Sequence, residues 1–322
     1  MSTQRLFLTG GSGFIGSVVI EVAKKQQHDV FALSRTEKSD IKIRQLGATP
    51  VRGDLHSLEI LEREATLSDA VIHLATAHIP TDVTFENAVP VDIGALNALA
   101  RGLAGSGKPL VTCSGTLSAQ PDPYGDETDE TAPLQQPSPL AARYKVEAHA
   151  LSLVSQGIRV CSVRIAANTY GRGGSIIKQY MASARNNGSV NCVDGARNHI
   201  TACHVDDCAH LMLLVAQKGK AGEIYNASSS TTTTSRELSE AIAQVLDVPI
   251  RHITIDEARS LLGDIGLFFI TLENRASGSK ARQELGWHPT GVGLLEDIRH
   301  GSYLAVAAAL KDSNQDTGST YF

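Results

Sequence analysis

Short apolar runs rich in β-branched residues alternate along most of this chain with segments whose apolar positions recur every three or four residues. That alternation predicts an α/β protein, with parallel strands joined by helices that cover both faces of one doubly wound sheet. The strands fall at residues 5–9, 29–33, 49–52, 70–73, 109–113, 159–164 and 223–226. Helical patterning lies between them, for example at 58–64, 94–102, 140–156 and 206–217. The last of these carries Ala209, Leu211, Met212, Leu213, Leu214 and Val215, which predicts deep burial. Beyond residue 226 the pattern turns mainly helical, at 235–246 and 255–262. Residues 171–190 resemble a lid or substrate-side insertion more than part of the sheet, and the polar end at 311–322 predicts a flexible tail. A run of threonines at 231–234 precedes the helix at 235, and Ser235 or a nearby Thr is expected to cap it.

The connection after the first strand carries the strongest chemical signal. It reads Thr9-Gly10-Gly11-Ser12-Gly13-Phe14-Ile15-Gly16, followed by the amphipathic Val18, Val19, Ile20 and Val22. Glycines here permit a tight strand-to-helix turn and let backbone N–H groups and the positive helix end approach a pyrophosphate. An isolated glycine pattern is weak, but a strand before it, a helix after it and a second strand beyond predict a dinucleotide site.

Charge then narrows the partners. A net charge of −5 with 20% charged residues suggests neither a nucleic-acid nor a membrane surface, and the expected partner is a small-molecule substrate. No apolar run approaches the roughly 18–20 residues that span a bilayer, and the first strand begins too early for a secretory signal. The five cysteines contain no CxxC pair and read as reduced thiols, which predicts a cytoplasmic protein. His199, Cys203, His204, Asp206, Asp207, Cys208 and His210 crowd together, but their spacing fits no standard structural zinc site, and no metal is expected.

The end of the second strand selects the coenzyme. A site for NAD places a carboxylate there, whereas this chain has Ser34-Arg35-Thr36. A guanidinium neutralises a 2′-phosphate and Ser34 can hydrogen-bond to it, so the expectation is NADP(H). Gly53-Asp54-Leu55 follows the third strand, where Asp54 can accept from an adenine amino group. His73-Leu74-Ala75-Thr76 ends the fourth, where small side chains let a dinucleotide lie against the sheet.

With these residues the chain resembles the extended or atypical branch of the short-chain dehydrogenase/reductase superfamily, the NAD-dependent epimerase/dehydratase-like proteins. Besides the glycine loop, the matching residues are Gly53-Asp54-Leu55, His73-Leu74-Ala75, Thr112-Cys113-Ser114-Gly115-Thr116, Val163-Arg164 with Tyr170-Gly171, His204-Val205-Asp206-Asp207 and Leu285-Gly286-Trp287-His288-Pro289. The likeness covers nearly all of residues 5–305. It implies a Rossmann domain formed by 1–170 with 200–229, and a smaller C-terminal substrate domain formed by 171–199 with 230–310. It also implies a homodimer as a common assembly, Asp206 or Asp207 as a helix cap, and cofactor contacts from Gly10, Gly13, Phe14, Ile15, Gly16, Ser34, Arg35, Asp54, Leu55, Leu74, Ala75, Thr76, Arg143, Ile165 and Ala167.

The chemistry implied by the resemblance needs a Tyr-x-x-x-Lys pair on one helix face, where the ammonium lowers the phenol pKa. No such pair occurs anywhere in this chain. The candidate helix reads Pro139-Leu140-Ala141-Ala142-Arg143-Tyr144-Lys145-Val146-Glu147. Anchored on Glu147, Arg143 takes the lysine position and Pro139 the tyrosine position; anchored on Lys145, Ala141 stands where the tyrosine should be. Arg143 can bind the nicotinamide ribose but cannot titrate near neutrality; the alternative is a surface ion pair with Glu147. Ser114 matches the hydroxyl that orients the substrate oxygen, and Tyr144, Tyr170 or water is left to handle the proton. The expected function is an NADP(H)-dependent oxidoreductase of a small hydrophobic carbonyl or alcohol. The alternatives are a non-redox isomerase, lyase or cyclase in the same cleft, and an NADP(H)-sensing regulator. Gly171-Arg172-Gly173-Gly174 reads either as the place where substrate and nicotinamide meet or as an ordinary mobile loop. Phe268 and Phe269 could line a pocket or pack in the core.

Overall fold

The structure is a computed structural model that describes residues 3–77 and 84–312, so the tail expected at 311–322 lies almost wholly outside the described residues. Strands β1 (Arg5–Thr9), β2 (Asp29–Ser34), β3 (Thr49–Arg52), β4 (Ala70–His73), β5 (Pro109–Gly115) and β6 (Arg159–Ile165) follow in the predicted order. Three strands the sequence pattern did not reveal come next: β7 (Asn168–Tyr170), β8 (Val190–Val193) and β9 (His199–His204). Then β10 (Ile224–Ala227) returns to complete a seven-stranded sheet of order β10-β6-β5-β4-β1-β2-β3, parallel throughout. The chain runs outward from β1 to β3 and restarts at β4 on the other side of β1. That reversal is the switch point at which ligands of such sheets bind.

Both sheet faces are covered, which is why the central strands read as continuous apolar runs. Successive residues of β1 serve opposite faces: Leu6 and Leu8 join one core, Phe7 the other. The first core is closed by α1 (Phe14–Lys25) and α2 (Glu37–Gln45). The second lies under α3 (Leu58–Leu67), α4 (Phe85–Leu103) and α5 (Ala141–Ser152). After α6 (Ser175–Asn187), α7 (Val205–Lys218) returns to the first face, with Leu211, Met212 and Val215 fully buried as its composition predicted.

A third core forms on β7 and β9, which pair with each other, while β11 (Ser230–Thr234) pairs antiparallel with β9 on its other side. It is closed by α6 and α8 (Ser235–Leu246), with Ile177, Met181, Ile200, Leu238 and Ile242 buried. Strand β12 (Ile250–Ile253) pairs with β8 and leads into α9 (Ile255–Thr271). The C-terminal helices are α10 (Ser279–Leu285), α11 (Leu294–His300) and α12 (Tyr303–Asp312). Among the described residues no helix is long and apolar enough to cross a membrane.

Residues 171–190 lie outside the main sheet, as expected, with Ile177, Met181 and Ala184 of α6 buried. Several other local expectations are corrected. The threonine run is β11, and Thr234 rather than Ser235 caps α8 in a capping box with Glu237. The helix expected at 140–156 ends at Ser152 and tightens into a 3₁₀ turn, Leu153–Gln156. The helix expected at 255–262 continues to Thr271 across a break at Gly263, whose φ is +68°. Neither Asp206 nor Asp207 caps α7: His204 does, its Nδ1 accepting from Asp206 N.

The Asp207 carboxylate instead accepts from Thr290 N at 2.8 Å and Gly291 N at 2.9 Å. Its carbonyl accepts from the indole Nε1 of the fully buried Trp287 at 3.0 Å. One residue of α7 therefore fixes the Leu-Gly-Trp-His-Pro segment onto the sheet's covering layer. Replacing Asp207 with Ala strands two N–H groups, and urea unfolding should show a loss of roughly 2–3 kcal/mol.

Candidate active site

The turn after β1 is built by close approach. Gly10 has φ +75°, and a Cβ there would lie 3.0 Å from Ala75 N; a Cβ at Gly16 would lie 2.2 Å from the Gly10 carbonyl oxygen. Only glycine satisfies both places. Helix α1 starts at an extended Gly13 with no side-chain cap and no acidic residue in its first turn. Its N-terminal N–H groups and positive end are thus suited to an anion. The side chains of Phe14 and Ile15 serve packing: Ile15 joins the first core, and the Phe14 ring lies against Gly174.

Thr9 ties this turn to the end of β4. Its hydroxyl meets His73 Nδ1 at 2.8 Å and accepts from Ala75 N at 3.1 Å, which fixes Leu74, Ala75 and Thr76 beside the glycines. Burial pushes His73 down to about 4, with Arg143 adding to the effect and Asp92 opposing it, so the ring is neutral near pH 7.

At the end of β2, Ser34 is buried and donates to the Thr36 carbonyl at 3.2 Å, while Arg35 is exposed. Lys42, which sequence reasoning missed, reaches from α2 to donate to the Ser12 carbonyl at 2.7 Å. A cation is thereby placed over the glycine turn from the helix that follows Arg35. Asp54 accepts from Ser57 Oγ and His56 N; these bonds outweigh its partial burial and hold the carboxyl below the usual range. One of its oxygens is thus engaged in the turn into α3. Leu55 is buried in the second core.

Ser114, Arg143, Tyr144, Ile165 and Ala167 converge on one cleft of about 190 Å3, walled also by Leu117, Leu140 and Phe269. Strand β5 delivers Ser114, α5 delivers Arg143 and Tyr144, and the segment after β6 delivers Ala167. The Tyr144 hydroxyl donates to Ser138 Oγ at 2.6 Å, and burial raises its pKa. Tyr170 is not brought to this cleft. It is 2% exposed in the third core, packed edge-on to His204, and its hydroxyl donates to the Val292 carbonyl at 2.6 Å. Thr116 lines the cleft, and its hydroxyl and carbonyl are taken up by hydrogen bonds exchanged with Asn274, at 2.9 and 3.0 Å.

Arg143 does not pair with Glu147. Its Nη1 donates to Asp92 Oδ2 at 2.6 Å and Thr76 Oγ1 at 3.1 Å. Asp92, 1% exposed on α4, also accepts from Thr76 Oγ1 at 2.9 Å and Ala77 N at 2.8 Å. Glu147 is buried with Arg164 and Ser162, at 2.8 and 2.7 Å. Asp92 was missed by sequence reasoning; its one signal was a lone carboxylate within the apolar surface of a long helix. The loop at 171–174 is tethered: Arg172 pairs with Glu21 and Asp206, each at 2.7 Å, and Tyr303 accepts from Gly171 N and donates to the Gly174 carbonyl. Among the described residues no group of His, Cys, Asp and Glu is arranged to hold a metal ion.

Two outcomes follow from this network. Replacing Asp92 with Ala leaves the Arg143 charge without its carboxylate, and urea titration should show a loss of about 3 kcal/mol or more. His73 binds a proton in the unfolded chain below pH 6.5 but in the folded protein only near 4. Unfolded molecules therefore hold more protons between those values, and stability falls as pH drops through that window, by up to about 3 kcal/mol. In His73→Gln the slope between pH 6.5 and 4 should flatten; an unchanged slope would assign it to other groups.

Comparison with known proteins agrees with this fold. A profile of the NAD dependent epimerase/dehydratase family matches residues 6–228. An uncharacterised protein of Saccharomyces cerevisiae is 35% identical over 299 residues, covering 92% of this chain and 98% of its own. A 4-hydroxy-2-methyl-3-oxo-4-farnesyl-3,4-dihydroquinoline-1-oxide ketoreductase of Stigmatella aurantiaca is 26% identical over 88% of this chain and 92% of its own. Among solved structures, a double mutant of the dTDP-glucose 4,6-dehydratase DesIV from Streptomyces venezuelae, with NAD bound, superposes with a TM-score of 0.76 at 21% identity, covering 97% of this chain and 98% of that one. The chain belongs to the NAD-dependent epimerase/dehydratase family, as an extended or atypical short-chain dehydrogenase/reductase.

Proposed function

We propose that this chain is a cytoplasmic NADP(H)-dependent oxidoreductase that interconverts a small hydrophobic carbonyl compound and its alcohol. The convergence of Ser114, Arg143 and Tyr144 on one apolar cleft, with Arg143 bonded to Thr76 next to the Ala75 that Thr9 holds beside the glycine turn, carries the proposal. In it, residues 1–170 with 200–229 hold the coenzyme, and 171–199 with 230–310 shape the substrate pocket. The glycine turn and α1 receive the pyrophosphate, while Arg35 and Lys42 neutralise a 2′-phosphate. Leu74, Ala75, Ile165 and Ala167 bound the nicotinamide end. When bound, the dinucleotide supplies hydride to the carbonyl carbon.

The protein's own groups do the rest. Ser114 Oγ donates to the carbonyl oxygen and orients it. Tyr144, kept protonated by burial, gives its proton to that oxygen as the alcohol forms. Ser138, already 2.6 Å from the phenol, turns its own hydroxyl hydrogen toward the phenolate and is resupplied from water. Arg143, anchored by Asp92 and Thr76, offers its remaining N–H groups to the nicotinamide ribose, while the positive charge that favours the developing phenolate comes from Arg164. The phenol thus works one residue along from a cation that cannot titrate.

NADPH consumption against a panel of hydrophobic ketones tests this reading. Ser114→Ala and Tyr144→Phe should each lower kcat/KM by roughly a hundredfold. Failure of every ketone to consume NADPH, with the coenzyme bound, would remove the oxidoreductase assignment. For the coenzyme, Arg35→Glu and Lys42→Ala should each weaken NADPH binding about tenfold by calorimetry and leave NADH little changed. Tighter binding of NADH than NADPH by the unaltered protein would reverse the choice.

A further inference from the structure

A second cavity, about 470 Å3, lies among α6, α8, α9 and strands β8 and β9. That volume falls within the roughly 300–1,000 Å3 usual for small-molecule sites. It shares Ala167 and Phe269 with the cleft of Ser114 and Tyr144, so the two spaces adjoin across these side chains. Its walls are Ile176, Val193, Ile200, Leu238, Ile242 and Phe269, with Tyr180 and a few serines and asparagines between them. Among the described residues that line it there is no Lys, Arg, His, Asp or Glu. Asn191 Oδ1 is buried there without a hydrogen-bond partner.

These features select the chemistry of the occupant. A nucleoside diphosphate needs cations or converging N–H groups around its phosphates. Here the wall offers none of the former, and its one orphaned buried polar atom is an acceptor, which repels an anion. An aliphatic chain, by contrast, gains from every methylene removed from water.

We infer that this cavity receives the uncharged aliphatic tail of the substrate, with the carbonyl to which it is attached lying in the Ser114 cleft. The substrate class is therefore a medium- to long-chain ketone or the corresponding secondary alcohol, not a nucleotide sugar. This rests on the oxidoreductase reading for its turnover arm only; the binding arm stands without it.

The test uses the full chain saturated with NADPH and a homologous series of methyl ketones from butanone through octanone to tridecanone. Thermal unfolding midpoints should rise along the series, and KM should fall about threefold to fourfold per added methylene until the cavity is filled. UDP-glucose should leave the midpoint unchanged. Ser239→Phe fills one wall of the cavity, and Leu262→Trp narrows another. Each should abolish the chain-length gain while butanone turnover, which reports a folded enzyme, is retained. A flat response along the series, or stabilisation by UDP-glucose in place of tridecanone, would overturn the inference. Chain-length-dependent stabilisation without NADPH consumption would uphold the cavity's role and remove the oxidoreductase reading. Butanone turnover with no gain along the series would do the opposite.

Discussion

The buried carboxylate of Asp92 is the constraint around which the site is organised. It joins three parts of the chain distant in sequence: α4, the Thr76–Ala77 segment after β4, and Arg143 on α5. A carboxylate this deep is tolerated only when charge and hydrogen bonds compensate its lost hydration. Arg143 supplies the charge, and Thr76 and Ala77 supply two further donors. Because Ala75 is bonded to Thr9 at the glycine turn, the same network sets the turn and helix α5 relative to each other. A second buried pair, Glu147 with Arg164, fastens the next turn of α5 to β6. Helix α5 is therefore held by charge as well as by Val146 and Ala150 in the core.

That arrangement bears on how a member of this family works without its Tyr-x-x-x-Lys pair. A lysine in such a pair is a point charge that swings toward phenol and ribose. The arginine here is planar, permanently charged and committed on one edge to Asp92 and Thr76. It offers a stationary positive field and a fixed set of donors. Tyr144 enters the cleft from the neighbouring position because α5 begins only at Ala141, just before both residues. Near a helix start, side chains about 100° apart can still border one opening that wraps around the helix end.

Much of the architecture was legible in advance. All seven strands of the main sheet could be placed: the central ones, buried on both faces, are written as near-continuous apolar runs, and the edge strands β3 and β10 fall where the alternation with helices requires them. The glycine turn was equally clear, since Gly10 and Gly16 answer to backbone contacts that no other residue permits. The smaller strands β7, β8, β9, β11 and β12 were not legible. They are short, and β11 is mostly threonine, so no apolar period marks them. Side-chain partnerships were the least readable level. The pairing of Arg143 with Glu147 looked natural at a spacing of four, yet each found a buried partner far away in sequence. Lys42 and Asn274 carried no pattern at all, and Tyr170 satisfied its position in the sequence while its hydroxyl faced a different core.

Trp287 is the sole tryptophan of the chain, and it is buried where the segment after α10 meets α7, with the Arg282 guanidinium 5.5 Å from its ring centre. Its indole is therefore a built-in optical probe of that one seam. Emission from this residue reports the docking of the segment after α10 on α7 and the first core without any label.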